Sequence, residues 1–199
     1  MNKNAKWWGA SSAALVALIG VAYFWQTTRG PREMKEIPGL RRVPEFSLPN
    51  PQGKNEGSSD YLGKVYLVHF WAAWCAPCVP EVPEFLNAAS KLPKDRDGNP
   101  IHWILVSQDD SWEKARKVLN DQKLPENVHA LLDSKAQISD AFGSYQFPET
   151  YLVTREGGVI TKWIGSQEWN GAWGDKVRAE IEELSRTGRL AQLPPTEQR

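Results

Sequence analysis

Residues 69–85 read HFWAAWCAPCVPEVPEF and hold the only two cysteines of the chain, Cys75 and Cys78. A continuous apolar run, KVYLVHFWA at 64–72, leads into them and is typical of a strand buried on both faces. Pro77 suits the first turn of a helix, so we expect a helix to begin just after Cys75. The cysteine pair is therefore predicted to lie where a buried strand passes into a helix.

Strand and helix patterns alternate along the rest of the domain. FSLPNPQGKNEGSSD predicts one short strand followed by a loop, and the last two strands form a hairpin. The other predicted elements are a strand at 101–108, a helix at 110–121, a strand at 127–133, a helix at 134–143, the hairpin at 149–165 and a final helix ending near 186. This order predicts an α/β sandwich whose mixed central sheet is flanked by helices, with the first half parallel and the hairpin antiparallel.

The first 28 residues predict export. Lys3 and Lys6 precede an uncharged run over 7–28 that has aromatic residues at both ends. About 20 apolar residues can cross a bilayer as a helix, and aromatic residues suit its interfaces, so we expect one N-terminal transmembrane helix. The small-x-small triplet at 20–22 leaves a cleaved signal peptide as the alternative. Either way the domain is predicted to lie where cysteines can form disulfides.

The remaining composition sets the domain limits. Residues 29–42 are charged and rich in proline, which predicts a linker, and 188–199 predict a flexible tail. One domain is therefore expected over 43–187. The 24 acidic residues balance 24 Lys and Arg residues, so charge gives no reason to expect nucleic acid as a partner.

Two cysteines separated by two residues can be a redox pair, half of a metal site or a static disulfide. Free N–H groups and the dipole at a helix start favour a thiolate, which predicts that Cys75 attacks and Cys78 resolves. A structural zinc site wants four ligands, and this chain has no third cysteine. Val79 stands where c-type haem attachment needs histidine, and Ala72 where a peroxidatic cysteine would be preceded by threonine or serine. We therefore expect a redox pair that uses no cofactor and no metal.

Two other classes of protein stay open. A copper-handling protein could use both thiols together with a distant histidine, for which His129 is the candidate. A tethered, non-catalytic binding module could use an aromatic contact surface formed by Trp163, Trp169 and Trp173.

The segment FWAAWCAPC resembles the active-site segment of thioredoxin-fold proteins. With VPEFSLPN before it, FPETYLV after it and the export segment, the chain resembles the membrane-anchored TlpA/ResA/CcmG-type thiol–disulfide oxidoreductases of bacteria over about 43–186. The resemblance implies a thioredoxin-like fold. It also implies that the domain is attached to the bacterial inner membrane and lies in the periplasm or on the outer face. It also implies reduction of protein disulfides, those of apocytochrome c before haem attachment among them, and an upstream membrane thiol reductant.

The resemblance also implies several residues that contact the substrate. Pro148 matches a cis-proline that faces the cysteine pair in such proteins, and Trp74 and Pro77 flank Cys75. Phe147 departs from the family, which usually carries a small or β-branched residue before the cis-proline. We expect Phe147 to cap the cysteines with an apolar surface or to narrow the range of partners.

Two further residues could handle the proton of the second thiol. Glu81, three residues after Cys78, matches a glutamate placed near the pair in ResA-like proteins, with a solvated helix carboxylate as the alternative. His69 stands six residues before Cys75, where classical thioredoxins carry a buried aspartate. A histidine that titrates near neutral pH could do similar work there, with a buried, hydrogen-bonded strand histidine as the alternative.

Overall fold

The computed structural model describes most of the predicted domain. The described residues are 42–91, 94–95, 97–120 and 123–188. The predicted anchor at 1–28, nearly all of the predicted linker and residues 189–199 of the predicted tail lie outside these ranges. Within them, none of the helices has the length and apolarity needed to cross a bilayer.

Strands and helices alternate along the described residues. In chain order the elements are β1 (Ser47–Pro49), β2 (Asn55–Gly57), a 3-10 helix (Ser58–Tyr61), β3 (Tyr66–Trp71), α1 (Cys78–Ala89), β4 (His102–Ser107), α2 (Trp112–Leu119), β5 (Val128–Leu132), α3 (Gln137–Phe142), β6 (Glu149–Val153), β7 (Val159–Ile164) and α4 (Ala172–Thr187). The thioredoxin-like α/β architecture predicted from the sequence is confirmed.

The segment around β2 differs from the prediction. It was predicted as a loop, but residues 55–57 pair antiparallel with β1 and a 3-10 helix follows them. Asn50 explains the difference, because its side-chain oxygen accepts the backbone N–H groups of Gln52 and Lys54, both at 3.0 Å. Such a side-chain-closed turn brings the two short segments into register without any apolar alternation.

The main sheet has five strands in the order β5-β4-β3-β6-β7. Strand β3 is parallel to β4, and β4 is parallel to β5, whereas β6 runs antiparallel to both β3 and β7. The predicted mixed sheet, parallel in its first half and closed by an antiparallel hairpin, is confirmed. Its central position means that β3 carries the cysteine loop out from the middle of the sheet.

Apolar cores cover both faces of this sheet. Side chains of β3 alternate between them: Leu67 and Trp71 pack with residues of α1, α2 and α4. Val68 and Phe70 pack on the other face with α3 and the 3-10 helix. All six residues of β3 are buried, as the continuous apolar run predicts.

Three tryptophans near the C-terminus belong to the first of these cores. Trp163, Trp169 and Trp173 are 1%, 0% and 4% exposed and meet edge to face, with ring centroids 5.7 Å apart for Trp163–Trp173 and 5.2 Å apart for Trp169–Trp173. The aromatic contact surface predicted for them is therefore wrong. Trp163 lies on β7, Trp173 on α4 and Trp169 in the loop between them, and all three indoles are buried.

Helix α3 is held at its start by one buried carboxylate. Asp133, directly after β5, accepts the backbone N–H groups of Gln137, Ile138 and Ser139 at 3.0, 3.0 and 2.9 Å. These N–H groups have no partner within the helix itself. Asp133 thus ties α3 to the carboxyl end of the sheet.

We expect Asp133→Ala to lower the free energy of unfolding by about 1–3 kcal/mol, because buried N–H groups lose their acceptor. Asp133→Asn should lose less, since an amide oxygen still accepts. Denaturant unfolding of both variants measures the difference. An alanine variant as stable as the wild type would contradict the capping role.

Candidate active site

The cysteine pair closes the turn between β3 and α1. Cys75 and Cys78 are disulfide-bonded, with their sulfur atoms 1.97 Å apart. Helix α1 begins at Cys78, not just after Cys75 as predicted, and Pro77 is its N-cap. The reason is a tight turn in which the backbone N–H of Cys78 donates to the Cys75 carbonyl at 3.0 Å. Cys75 still lies ahead of the helix, near its positive end.

The two sulfurs have unequal access to solvent. Cys75 is 6% exposed and lines an open cleft of about 320 Å³, whereas Cys78 is 0% exposed and packs inside the core. The cleft is lined by Trp74, Cys75, Pro77, Gln108, Asp140, Ser144, Tyr145 and Phe147. A partner entering this cleft can therefore reach Cys75 but not Cys78.

Aromatic side chains form the rim of the cleft. Trp74 is 64% exposed and Tyr145 73% exposed, and the Phe147 ring lies 5.8 Å from that of Trp74 between centroids. The structure thus brings Trp74, Pro77 and Phe147 together beside Cys75. Phe147 adds an apolar surface at the place where the sequence analysis expected one.

The predicted cis-proline is confirmed. The Phe147–Pro148 peptide bond is cis. The Pro148 carbonyl accepts the backbone N–H of Gly165 at 2.8 Å, which fixes the proline to the end of β7. Because Phe147 lines the cleft, this bend holds its side chain beside the active-site loop.

Glu81 lies in the core below the pair. It is 2% exposed, so the alternative of a solvated helix carboxylate is wrong. Its Oε1 accepts the backbone N–H of Gln167 at 3.0 Å and the indole N–H of Trp169 at 2.7 Å. Residues three apart on a helix share a face, so Glu81 and Cys78 are neighbours on the buried side of α1.

His69 is fully buried under the same helix. Its Nδ1 lies 2.8 Å from the Thr150 hydroxyl, and its ring stacks on Phe85 with centroids 4.3 Å apart. Burial lowers the pKa of His69 to about 3, so the ring is neutral at physiological pH. The expectation that His69 titrates near neutrality is wrong, and the alternative of a buried, hydrogen-bonded histidine describes it. A role in proton transfer stays a prediction.

Two residues after β4 were missed by the sequence analysis. The buried carboxylate of Asp109 accepts the backbone N–H of Ala73, at 3.0 Å to the nearer oxygen, and the Ser107 hydroxyl at 2.8 Å. Gln108 lines the cleft. Their position directly after β4 could have predicted them, because the carboxyl ends of adjacent parallel strands, here β3 and β4, meet at one edge of a sheet. Asp109 holds the backbone of the cysteine loop in place.

Other site residues gave no usable signal. Asp140, Ser144 and Tyr145 reach the cleft from α3 and the loop after it. Gln167 and Trp169 reach Glu81 from the loop between β7 and α4. These contacts join segments that no short motif connects.

His129 lies far from the cysteines along the sheet. It belongs to the N-terminal part of β5, whereas the cysteines follow the carboxyl end of β3. Its Nε2 lies 2.9 Å from His102 Nδ1, and its Nδ1 2.9 Å from a Glu56 oxygen. Across the described residues, no group of three or more His, Cys, Asp or Glu side chains could hold a metal ion. The distant copper ligand proposed from the sequence is therefore misplaced.

Comparison with known proteins identifies relatives of this chain. A family profile described as AhpC/TSA matches residues 40–162. A chain from Chlorobium tepidum assigned as thiol:disulfide interchange protein DsbE is 26% identical, with a TM-score of 0.58, over 73% of this chain and 94% of that one. A chain from Neisseria meningitidis assigned as a thioredoxin is 25% identical, with a TM-score of 0.55, over 68% and 87%. A secreted disulfide oxidoreductase of Mycobacterium tuberculosis, 16% identical with a TM-score of 0.56 over 70% and 96%, shares the fold.

The buried histidine makes stability depend on pH. The pKa of a histidine is about 6.5 in the unfolded chain, whereas that of folded His69 is about 3. The contribution of neutral His69 to the free energy of unfolding is therefore fully present above about pH 6.5 and is lost as the pH falls. Replacing His69 by leucine should reduce the loss in the free energy of unfolding by up to about 1.4 kcal/mol for each pH unit.

Denaturant unfolding of wild type and His69→Leu between about pH 7 and pH 4.5 measures the two slopes. His102, whose pKa burial also lowers, is present in both proteins and cancels in the comparison. Parallel curves would mean that His69 has the same pKa in the folded and the unfolded protein, which would contradict the shift.

Proposed function

The chain belongs to the AhpC/TSA family and is a thiol–disulfide oxidoreductase of the thioredoxin type, and we propose that it works outside the cytoplasm as a reductant of protein disulfides. The substrates are disulfides of other exported proteins. The electrons come from the Cys75–Cys78 dithiol, which an upstream membrane thiol protein regenerates.

Unequal access to the two sulfurs is the observation that carries this proposal. Cys75 opens to the cleft and Cys78 is sealed in the core. A dithiol that exchanges with a partner protein needs one sulfur that the partner can reach, here Cys75. It also needs a second sulfur that reacts only with the first, here Cys78. A static disulfide needs neither a cleft nor an aromatic rim.

The reaction follows from this arrangement. The Cys75 thiolate attacks one sulfur of the substrate disulfide, and the other substrate sulfur leaves as a thiolate. The Cys78 thiol then loses its proton and attacks Cys75, which breaks the mixed disulfide and releases the second substrate thiol. The pair ends oxidised, and the substrate has gained two electrons and two protons.

Two features support rapid thiol–disulfide exchange at this pair. The start of α1 stabilises a thiolate at Cys75. Glu81, buried on the same helix face as Cys78, would accept the proton that the second thiol must lose. The similar chain from Chlorobium tepidum is assigned to thiol:disulfide interchange. The reducing direction itself is proposed on the resemblance to TlpA/ResA/CcmG-type proteins.

Substrate contact is proposed at the aromatic rim. Trp74, Pro77 and Phe147 would cover the polypeptide beside the substrate cysteine, with Pro148 holding Phe147 in position. Apocytochrome c before haem attachment is the proposed substrate class, on the resemblance to TlpA/ResA/CcmG-type proteins. No nucleic acid takes part.

The proposed location rests on the N-terminal sequence. The uncharged run over 7–28 would act as a single-pass anchor in the bacterial inner membrane, with Lys3 and Lys6 on the cytoplasmic side. The domain would then face the periplasm, where disulfide substrates form.

Replacing Cys78 tests the proposal. With Cys78→Ser, Cys75 can attack a substrate but the mixed disulfide cannot be resolved, so we expect covalent adducts with exported proteins. The adducts should appear on non-reducing gels of periplasmic extracts and disappear with reductant. Cys78→Ala serves as a second trap if the buried hydroxyl harms folding.

The matched control removes both sulfurs. A Cys75→Ser, Cys78→Ser double variant should form no adduct. If the trap variant also captures nothing, while the reduced wild type binds copper tightly, the protein handles metal and the redox proposal is wrong.

A further inference from the structure

One fully buried indole points at the Glu81 carboxylate. The Nε1–H of Trp169 donates to Glu81 Oε1 at 2.7 Å, and the backbone N–H of Gln167 donates to the same oxygen at 3.0 Å. Trp169 is 0% exposed. Hydrogen bonds to a carboxylate are short and directional, so these donors set the orientation of the carboxylate.

Neighbouring rings hold the Trp169 side chain. Its ring meets those of Phe85, Trp103 and Trp173 edge to face, with centroids 4.9, 5.5 and 5.2 Å apart. A close-packed indole of this kind has no room to turn its N–H away from Glu81.

Helix α4 holds the backbone of the same residue. Arg178 donates to the Trp169 carbonyl at 2.6 Å. A Cβ atom at Gly174 would lie 2.0 Å from that carbonyl oxygen, so only glycine permits this approach of the helix. The ring of Trp169 is thus held by aromatic neighbours on α1, β4 and α4, and its backbone is held by α4.

The Glu81 carboxylate and the indole that donates to it come from different elements. Glu81 and Cys78 share the buried face of α1, whereas Trp169 comes from the loop between β7 and α4. A glutamate side chain on a helix can adopt several rotamers, and burial alone does not select one. The contact with Trp169 selects one.

We propose that Trp169 is a positioning residue that holds Glu81 where it receives the Cys78 proton, which rests on the proposed role of Glu81. In the second half of the reaction the proton passes from the Cys78 thiol to Glu81. The Cys78 sulfur then bonds to Cys75, and the substrate sulfur leaves with the electron pair and takes up a proton. Trp169 touches none of the reacting sulfurs.

Ellman's reagent separates the two halves of the reaction. With the full-length, reduced protein in detergent, the first nitrothiobenzoate released reports attack by Cys75. The second reports resolution by Cys78. Trp169→Phe keeps an aromatic ring but removes the N–H. It should leave the first release within about twofold and slow the second about tenfold, the effect of losing one hydrogen bond to a charged group.

Trp103→Phe is the matched control. Trp103 is also 0% exposed, belongs to the same ring cluster, and its indole nitrogen has no hydrogen-bond partner among the described residues. We expect this variant to change neither release by more than about twofold. Equal slowing of the second release in both variants would overturn the proposal and leave only a packing role for Trp169.

Glu81→Gln distinguishes failure of the positioning role from failure of the proposed role of Glu81. If Glu81→Gln slows the second release and Trp169→Phe does not, the positioning proposal is wrong and Glu81 keeps its role. If Glu81→Gln leaves the second release unchanged, Glu81 receives no proton and both ideas are wrong. If the reduced wild type releases nothing, the redox function itself fails.

Two further measurements cover a variant that folds poorly. Benzothienylalanine in place of Trp169 keeps the size of the indole and lacks only the N–H, so it should slow the second release as phenylalanine does. In the second measurement, Glu81→Gln is introduced with Trp169 intact and compared with wild type by NMR. The substitution should move the Trp169 indole N–H resonance and leave that of Trp103 in place. An unmoved Trp169 resonance would mean that no such hydrogen bond exists in solution.

Discussion

Burial of β3 on both faces is the constraint on which the site depends. The strand pairs with parallel β4 on one side and antiparallel β6 on the other, and its register fixes what surrounds its carboxyl end. Parallel pairing brings Gln108 and Asp109 to that end, where Asp109 holds the loop that carries Cys75. Antiparallel pairing brings the start of β6, and hence the cis-proline Pro148, to the same place. Segments distant in sequence thus meet at one sulfur.

Helix α1 divides the chemistry between solvent and core. Cys75 precedes the helix and faces the cleft, whereas Cys78 begins the buried face that continues through Glu81 and Phe85. An attack on another protein has to happen at the surface. The second attack is intramolecular and benefits from a site that excludes competing thiols and water. The same helix therefore serves an exposed first step and a buried second step.

Sequence reasoning predicted the parts of the site that lie within short motifs. The setting of the cysteine pair between a buried strand and a helix follows from the local sequence, whereas the cis bond at Pro148 and the contact role of Trp74 were implied by the resemblance to TlpA/ResA/CcmG-type proteins. Strand β2 could not be predicted, because a single Asn50 side chain closes its turn. The protonation of His69 depends on burial by helix α1, and the Glu81–Trp169 contact spans 88 residues, so neither leaves a local pattern. Burial and long-range contact are tertiary properties, and there the predictions for His69 and the tryptophans failed.

The central proposal is that the accessible Cys75 and the sealed Cys78 exchange electrons with protein disulfides and that the pair acts as a reductant. The most direct test is the reduction potential of this couple, measured by equilibrating the full-length protein with defined thiol–disulfide buffers and trapping the free thiols. The account predicts a value below that of glutathione, at about −270 mV or lower, as in thioredoxin. A value near about −120 mV, typical of strong disulfide oxidants, would contradict it.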